Sequence, residues 1–370
     1  VDTTRVEATS PGGFAVVAGG RVVAEAPGDV NWTFTADADG RLLGASASGR
    51  VGPVQPPLEL RPRAGAGVVL GGRPYRGAAV LLSSTAGRVT AVNVVELEDY
   101  LLGVVPAEIP SLHIEAVKAQ AIAARTYAIG NLDRRARLGF DFFATVSDQV
   151  YGGVAREDTM ASRAVRETAG EIITYEGAPI LAYYHSTCGG RTAAIDEVWR
   201  RAPLPYLVSI SDARPDGQGH YCEASNRFDW REQWDGAELA DILLPHLAEF
   251  FGRSTAELRP LRDLAIEERT PSGRVQLLRI DAGAASYRIR GDSIRWFLRP
   301  EPDRILNSVL FDMTAAVDDG RVRALSVAGH GWGHGIGMCQ MGAIGRARAG
   351  HDYRRILAAY YRGTQVTKLY

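Results

Sequence analysis

Along roughly the first 95 positions apolar residues come in short bursts, at residues 14–17, 21–24, 32–35, 67–70, 78–82 and 88–93, separated by turn pairs such as Pro11-Gly12, Gly19-Gly20 and Gly71-Gly72. Runs of this kind bounded by glycine and proline predict β-strands, so the chain opens as a β-rich lobe over residues 1–75 with more strands beyond. From residue 113 the period changes. Ile114, Val117, Ala121, Ala124, Ala128 and Leu132 recur at helical spacing and predict an amphipathic helix over residues 113–132. Arg125 lies about 20° from Ile114 around that helix, in the middle of its apolar stripe. An unpaired guanidinium there costs several kcal/mol, so Arg125 needs a carboxylate or a polar cleft. Glu108 is the nearest candidate, and another acid of the chain serves the pattern equally well.

A second helix is predicted at residues 160–169, followed by strands at 171–175 and 180–184 joined at Glu176-Gly177 as a hairpin that delivers His185. Residues 203–323 change character, with helices at 237–251 and near Thr255 and strands at 262–267, 274–281 and 286–290. They read as a second lobe inserted into a core formed by residues 76–202 and 324–370, the latter ending in a helix at 353–362. The expected fold is α+β: a mixed helical-and-sheet core with an N-terminal β-rich lobe and an inserted lobe.

Chemistry concentrates around Pro106-Ala107-Glu108-Ile109-Pro110. Each proline fixes its own φ and disfavours the helical region for the residue before it, so Glu108 is expected in a stiff, non-helical loop. Its apolar neighbours Val104, Val105, Ala107 and Ile109 would desolvate the carboxyl and raise its pKa towards that of a general acid at neutral pH; the competing reading is an ordinary solvent-exposed glutamate. In Gly329-His330-Gly331-Trp332-Gly333-His334-Gly335-Ile336-Gly337-Met338 every second residue is glycine. Read as a strand, the segment puts His330, Trp332 and His334 on one face as a groove floor suited to a sugar or peptide chain; the competing reading is a tightly packed irregular loop. Two histidines four apart on a strand are roughly 13 Å apart and do not share a metal. His185-Ser186-Thr187-Cys188 follows an apolar strand, and Ser147-Asp148-Gln149-Val150-Tyr151 is a polar-aromatic loop of the kind that lines a carbohydrate site.

Composition narrows the class. The chain has 370 residues, 46% hydrophobic and 23% charged, with 42 basic against 43 acidic residues and a net charge of −1. No basic excess points to nucleic acid, and no apolar stretch approaches the roughly 18 residues of a membrane span. A chain starting at Val1 fits a mature form whose leader was removed, and a shortened chain would look the same. Three cysteines, Cys188, Cys222 and Cys339, permit at most one internal bridge. A Cys188–Cys222 disulfide and zinc held by His185, Cys188, His220 and Cys222 are both open by residue type, beside the commoner fate of small buried cysteines.

Taken together, the motifs resemble the sporulation stage II protein D and amidase-enhancer family, which acts on bacterial peptidoglycan. The resemblance rests on Leu97-Glu98-Asp99-Tyr100-Leu101 with the following 103–110, on 116–121 with 124–128, and on Asp148-Gln149-Val150-Tyr151. It continues through His185-Ser186-Thr187 with Gly189-Gly190, then 333–340 with Gly342-Ala343, and Tyr360-Tyr361 with Gly363-Thr364. It covers most of the chain from about residue 75. It implies a secreted or envelope-localised lytic transglycosylase that cleaves glycan strands, with Glu108 as single general acid and base. Arg125 would assist, and Asp148, Gln149, Tyr151, His185, Ser186, Trp332, His334 and Gln340 would bind substrate. The amidase-enhancer branch implies the alternative, a non-catalytic peptidoglycan-binding activator whose partner is a cell-wall amidase. Family members that bind zinc carry a Cys and a His-Cys pair just before Gln-Val-Tyr, where this chain has Phe143, Ser147 and Asp148, so neither metal nor cofactor is expected. Cys188 and Cys339 stand where the family usually shows serine.

Overall fold

The protein is described by a computed structural model covering residues 2–63, 65–83 and 87–370, and its fold is mixed α+β, as the sequence pattern predicts. Two compact units are distinguished: one comprises the described residues of Val1–Ser111 with Gln120–Glu171 and Tyr370, the other Leu112–Ala119 with Ile172–Leu369. No helix among the described residues is long and apolar enough to cross a membrane.

The first unit begins with two six-stranded sheets whose paired strands all run antiparallel. One is ordered Asp2–Thr3, Val89–Val94, Ala78–Ser83, Leu58–Pro62, Phe14–Ala18, Arg21–Ala26, and the other Arg73–Tyr75, Val68–Leu70, Val6–Thr9, Trp32–Ala36, Leu42–Ser46, Gly49–Val54. Alternation supplies the core: Phe14, Val16, Leu58, Leu60 and Leu81 from the first sheet bury against Trp32, Phe34, Leu42 and Val68 from the second. The strands at 6–9, 42–46, 49–54, 58–62 and 73–75 escape the sequence reading because glycine, proline and charged residues interrupt their apolar runs.

Three helices complete this unit: α1 (Leu97–Glu108), α2 (Ile114–Gly130), whose first turns belong to the other unit, and α3 (Thr159–Glu167). Helix α1 corrects one expectation. Glu108 is not in a loop but is the last residue of the helix, with Pro106 inside it. Proline in the final turn forfeits only the bond its own N–H would have made, and the helix ends before further disruption accumulates. Pro110 does act as predicted: Ile109 is extended, at φ −130° and ψ 137°, while its N–H still closes onto the Val105 carbonyl at 3.1 Å.

The strand Glu171–Tyr175 lies between Ala178–Pro179 and Gln365–Lys368 in a three-stranded sheet, and its hairpin partner is only the two residues Ala178–Pro179, so the expected hairpin is shorter than its apolar run. Tyr184–His185 instead pairs in parallel with Met338–Cys339, placing His185 opposite Cys339. Residues 229–330, overlapping the stretch read from sequence as an inserted lobe over 203–323, share one hydrophobic core. Asp229–Asp235, Arg321–His330 and Phe311–Asp318 form one antiparallel sheet, and Leu261–Arg269, Val275–Ala282 and Ala285–Arg290 a second. After the short helix α4 (Ile195–Val198), α5 (Gly236–Phe251) starts where Asp235 accepts from Ala237 and Glu238 N–H groups. It stops at Gly252, left-handed at φ 62°. Its Leu239, Leu243, Leu244 and Leu247 bury against Trp230, Leu278, Ile280 and Leu325. Residues 255–258 form a turn, not the short helix expected at Thr255. The one-turn helix α6 (Ile294–Phe297), then α7 (Gln340–Arg348) and α8 (Tyr353–Tyr360), follow.

The glycine-rich segment is the largest departure from expectation. The long strand ends at His330, and Gly331, Gly333, Gly335 and Gly337 all have positive φ, between 71° and 110°. The period-two pattern is therefore not strand alternation but a left-handed residue at every second position, so His330, Trp332 and His334 do not share a strand face. A Cβ on Gly337 would stand 2.0 Å from the Tyr183 carbonyl oxygen, and one on Gly331 2.6 Å from that of Thr187. These glycines are needed for close approach to the 183–189 backbone as well as for their dihedrals.

Candidate active site

Glu108 sits at the C-terminal end of α1, partly buried, with Oε1 accepting the Val150 N–H at 2.6 Å. Burial pushes its carboxyl up to about 7, against the opposing pull of that hydrogen bond. The negative end of the helix macrodipole acts in the same direction as burial. With Oε1 engaged by a donor, Oε2 is the oxygen left to carry the proton. Around it, Tyr100 packs on Tyr151 at 4.9 Å between ring centroids. Burial pushes the Tyr100 phenol up, with the Glu108 charge adding to it, so it stays a neutral donor, bonded to Gln149 Oε1 at 3.2 Å.

Three other carboxylates of this unit near α1 are occupied. Asp148 has no exposed side-chain surface and receives Arg135 through both oxygens, at 2.9 and 3.0 Å, as well as the Phe143 N–H at 2.9 Å. Glu157 is bidentate to Arg76, at 2.7 and 2.9 Å. Glu98 takes Arg125 at 2.7 and 2.8 Å. Of the two partners left open for Arg125, the structure gives the other acid: Glu98, not Glu108. The fully buried guanidinium also donates to the Glu171 carbonyl at 3.0 Å and the Val165 carbonyl at 3.3 Å. Burial raises Glu98, but hydrogen bonds from Arg125 and Tyr370 outweigh it and hold the carboxyl below its ordinary range.

The second unit contains the remaining sequence-predicted residues. His185 is buried, its Nδ1 3.1 Å from the Ile336 carbonyl oxygen; among the described residues its Nε2 has no hydrogen-bond partner. The His334 ring lies 5.6 Å away and also contacts Trp199 at 5.1 Å. Burial lowers both imidazoles, so they are neutral at pH 7. Trp332 is 43% exposed, with the Arg227 guanidinium 5.0 Å over its ring. Ser186 is half-buried, while Gln340 is buried at the start of α7. His330 is exposed and bonded to Asp229 at 2.6 Å. The three cysteines converge with Asp212. His185 and His220 are not part of that group, and the Cys188 and Cys222 sulfurs are 3.4 Å apart as free thiols.

Known proteins align with this arrangement. The family model of the stage II sporulation protein (SpoIID) matches residues 85–175, which contain the whole Glu108 constellation, and a model of a domain of unknown function (DUF8618) matches residues 214–337. Stage II sporulation protein D of Bacillus amyloliquefaciens is 30% identical over 296 residues, covering 75% of this chain and 76% of that protein. The chain belongs to the SpoIID family. An uncharacterized protein of Brachyspira hyodysenteriae is 33% identical over 302 residues, 81% of this chain and 74% of the relative. The amidase enhancer of Bacillus subtilis is 30% identical over 298 residues, 72% of this chain but 40% of the enhancer.

Within this SpoIID chain the structure gathers Glu108, Gln149 and Tyr151 around α1, and His185, Ser186 and His334 around the 331–337 segment. It turns two expected substrate contacts inward. The Asp148 side chain is locked by Arg135, and Gln149 is fully buried, donating to the Ala124 carbonyl at 3.3 Å. Sequence reasoning missed Tyr100 and the Val150 N–H as neighbours of Glu108. The first was visible only as a member of the 97–101 motif, and a backbone donor leaves no trace in residue type. Glu98 was legible in principle as an acid in the first turn of a helix, but nothing in the sequence linked it to Arg125.

Proposed function

We propose that the protein is a peptidoglycan lytic transglycosylase working outside the cytoplasm, in the cell envelope, with Glu108 as its only acid and base. The observation that carries this reading is the Glu108 carboxyl, raised to about 7 at the end of α1 while Asp148, Glu98 and Glu157 of the same unit are committed to arginines. Protonated Glu108 donates from Oε2 to the glycosidic oxygen that leaves N-acetylmuramic acid. The carboxylate left behind keeps the Val150 N–H on Oε1, which stabilises the new charge. It then accepts the proton of the same sugar's C6 hydroxyl as that oxygen closes the 1,6-anhydro ring. Hydrolysis would require a second carboxyl roughly 5 to 9.5 Å from the first, and Asp148, the candidate for that role, has both oxygens on Arg135. An internal nucleophile needs no such base, since tethering supplies the effective concentration. In this reading Arg125 is a positioning residue that fixes α1 through Glu98, and Tyr151, beside α1, is a substrate-contacting group.

Incubation with glycan strands stripped of stem peptides, followed by mass analysis, tests the proposal. Products should end in 1,6-anhydro-muramic acid, lighter by one water than hydrolytic ends. Reducing ends carrying oxygen from heavy water would show hydrolysis instead. The name of the Bacillus subtilis relative favours a second reading, an activator of a cell-wall amidase. It predicts unchanged glycan length together with faster stem-peptide release by an added amidase.

A further inference from the structure

The chain has three cysteines, at 188, 222 and 339, and all three come to one place. Their sulfurs and an oxygen of Asp212 lie within 4.8 Å of one another, every member buried. Cys188 follows the strand Tyr184–His185, Cys222 lies in a turn, and Cys339 is the residue before α7, so four separated segments contribute one donor each. Cys188 Sγ is 3.4 Å from Cys222 Sγ and 3.7 Å from Asp212 Oδ2. Zinc–sulfur bonds of about 2.3 Å make the edge of a tetrahedron about 3.8 Å, so the donors already stand near coordination spacing around a common centre.

The surroundings suit a cation as well. Asp212 Oδ1 is taken by Arg346 at 3.0 Å and the Tyr360 hydroxyl at 2.8 Å. That leaves Oδ2 turned to the thiols, the arrangement in which outer groups orient a monodentate carboxylate ligand. Cys339 Sγ accepts the N–H groups of Cys188 and Gly342, both at 3.2 Å, donors that offset part of what burial costs a thiolate there. Arg274, also buried, donates to the Cys188 carbonyl at 3.3 Å. Three thiolates and a carboxylate around a divalent ion carry two excess negative charges, and Arg346 and Arg274 are the two guanidiniums placed to offset them.

We propose that Cys188, Cys222, Cys339 and Asp212 form a closed structural zinc site. Three soft sulfurs and one oxygen in tetrahedral spacing select zinc among common divalent ions. All four positions are filled by protein, so the ion is no Lewis acid for substrate; it pins the loop after His185 to the 212–222 turns and to α7. Nothing in this site depends on the chemistry of Glu108, and the site departs from the metal-free chain expected from sequence.

The test uses the full chain purified without chelator. Elemental analysis should give about one zinc per chain, with all three thiols unreactive until zinc is withdrawn. Exchange for cobalt(II) should give a thiolate-to-metal charge-transfer band and the intense visible bands of a tetrahedral ion. The isosteric variant Cys188→Ser/Cys339→Ser should lose the metal and melt at lower temperature. Should that variant fail to fold, the wild-type cobalt spectrum still decides. A metal-free chain with three freely titrating thiols, an intact mass lower by two hydrogens, or iron or copper in place of zinc would each overturn the assignment.

Discussion

Ionising Glu108 costs the folded protein the hydration that burial removes from a carboxylate. A shift from 4.5 to about 7 corresponds to about 3 kcal/mol between the two protonation states. Because the folded value is the higher one, the favourable contribution is complete below about pH 4.5 and disappears as pH rises through about 7. Glu108→Gln should therefore match wild type in stability near pH 4 and exceed it by up to about 3 kcal/mol near pH 8, while glycan cleavage is abolished and glycan binding kept. Melting curves across pH for the two proteins check the first half, and parallel curves would show that the carboxyl is not desolvated. In wild type the cleavage rate should fall as pH rises through about 7, where the acid form is lost. That Glu108 is apolar-flanked was legible in the sequence; that it closes a helix was not, because proline chemistry alone cannot tell the last turn of a helix from a loop.

Helix α1 carries two carboxylates in opposite settings. Glu98 lies in the first turn, at the positive end, bound to Arg125 and held low; Glu108 ends the last turn and is held high. One element thus separates a structural anion from a proton donor. The Arg125 pattern was read correctly as a charge on an apolar stripe in need of a partner, but its partner was set by tertiary packing that brings Glu98 of α1 to α2, which spacing within one helix does not encode. Removing one member of this buried pair strands the other, so Arg125→Ala should destabilise by about 3 to 5 kcal/mol. The pair Arg125→Met with Glu98→Gln should cost less than the sum of its single changes by about 1 kcal/mol or more. Denaturant titration of the four proteins measures this, and strict additivity would mean the ion pair holds nothing.

At the scale of the molecule, residues 229–330 contain helices α5 and α6, two three-stranded sheets and a core running from Trp230 to Val327. A fragment of residues 226–331 should therefore melt cooperatively when expressed alone; a gradual, non-cooperative loss of ellipticity would show that it leans on the rest of its unit. Its helix α5 and three central strands were legible because their periods are clean. The 331–337 segment was misread for a physical reason: alternate glycines mimic strand alternation, although what they mark is alternate left-handed dihedrals. The amides of this segment answer to neighbours far away in sequence. Gly331 donates to Phe228 at 2.9 Å, Trp332 to Thr187 at 2.8 Å and Gly333 to Asn307 at 2.9 Å, while Thr187 and Ala193 donate back at 3.0 and 2.8 Å. In deuterated water such a stretch should behave unlike a loop. Its amide protons should survive about as long as those in the buried turns of α2, exchanging only when the surrounding unit opens as a whole.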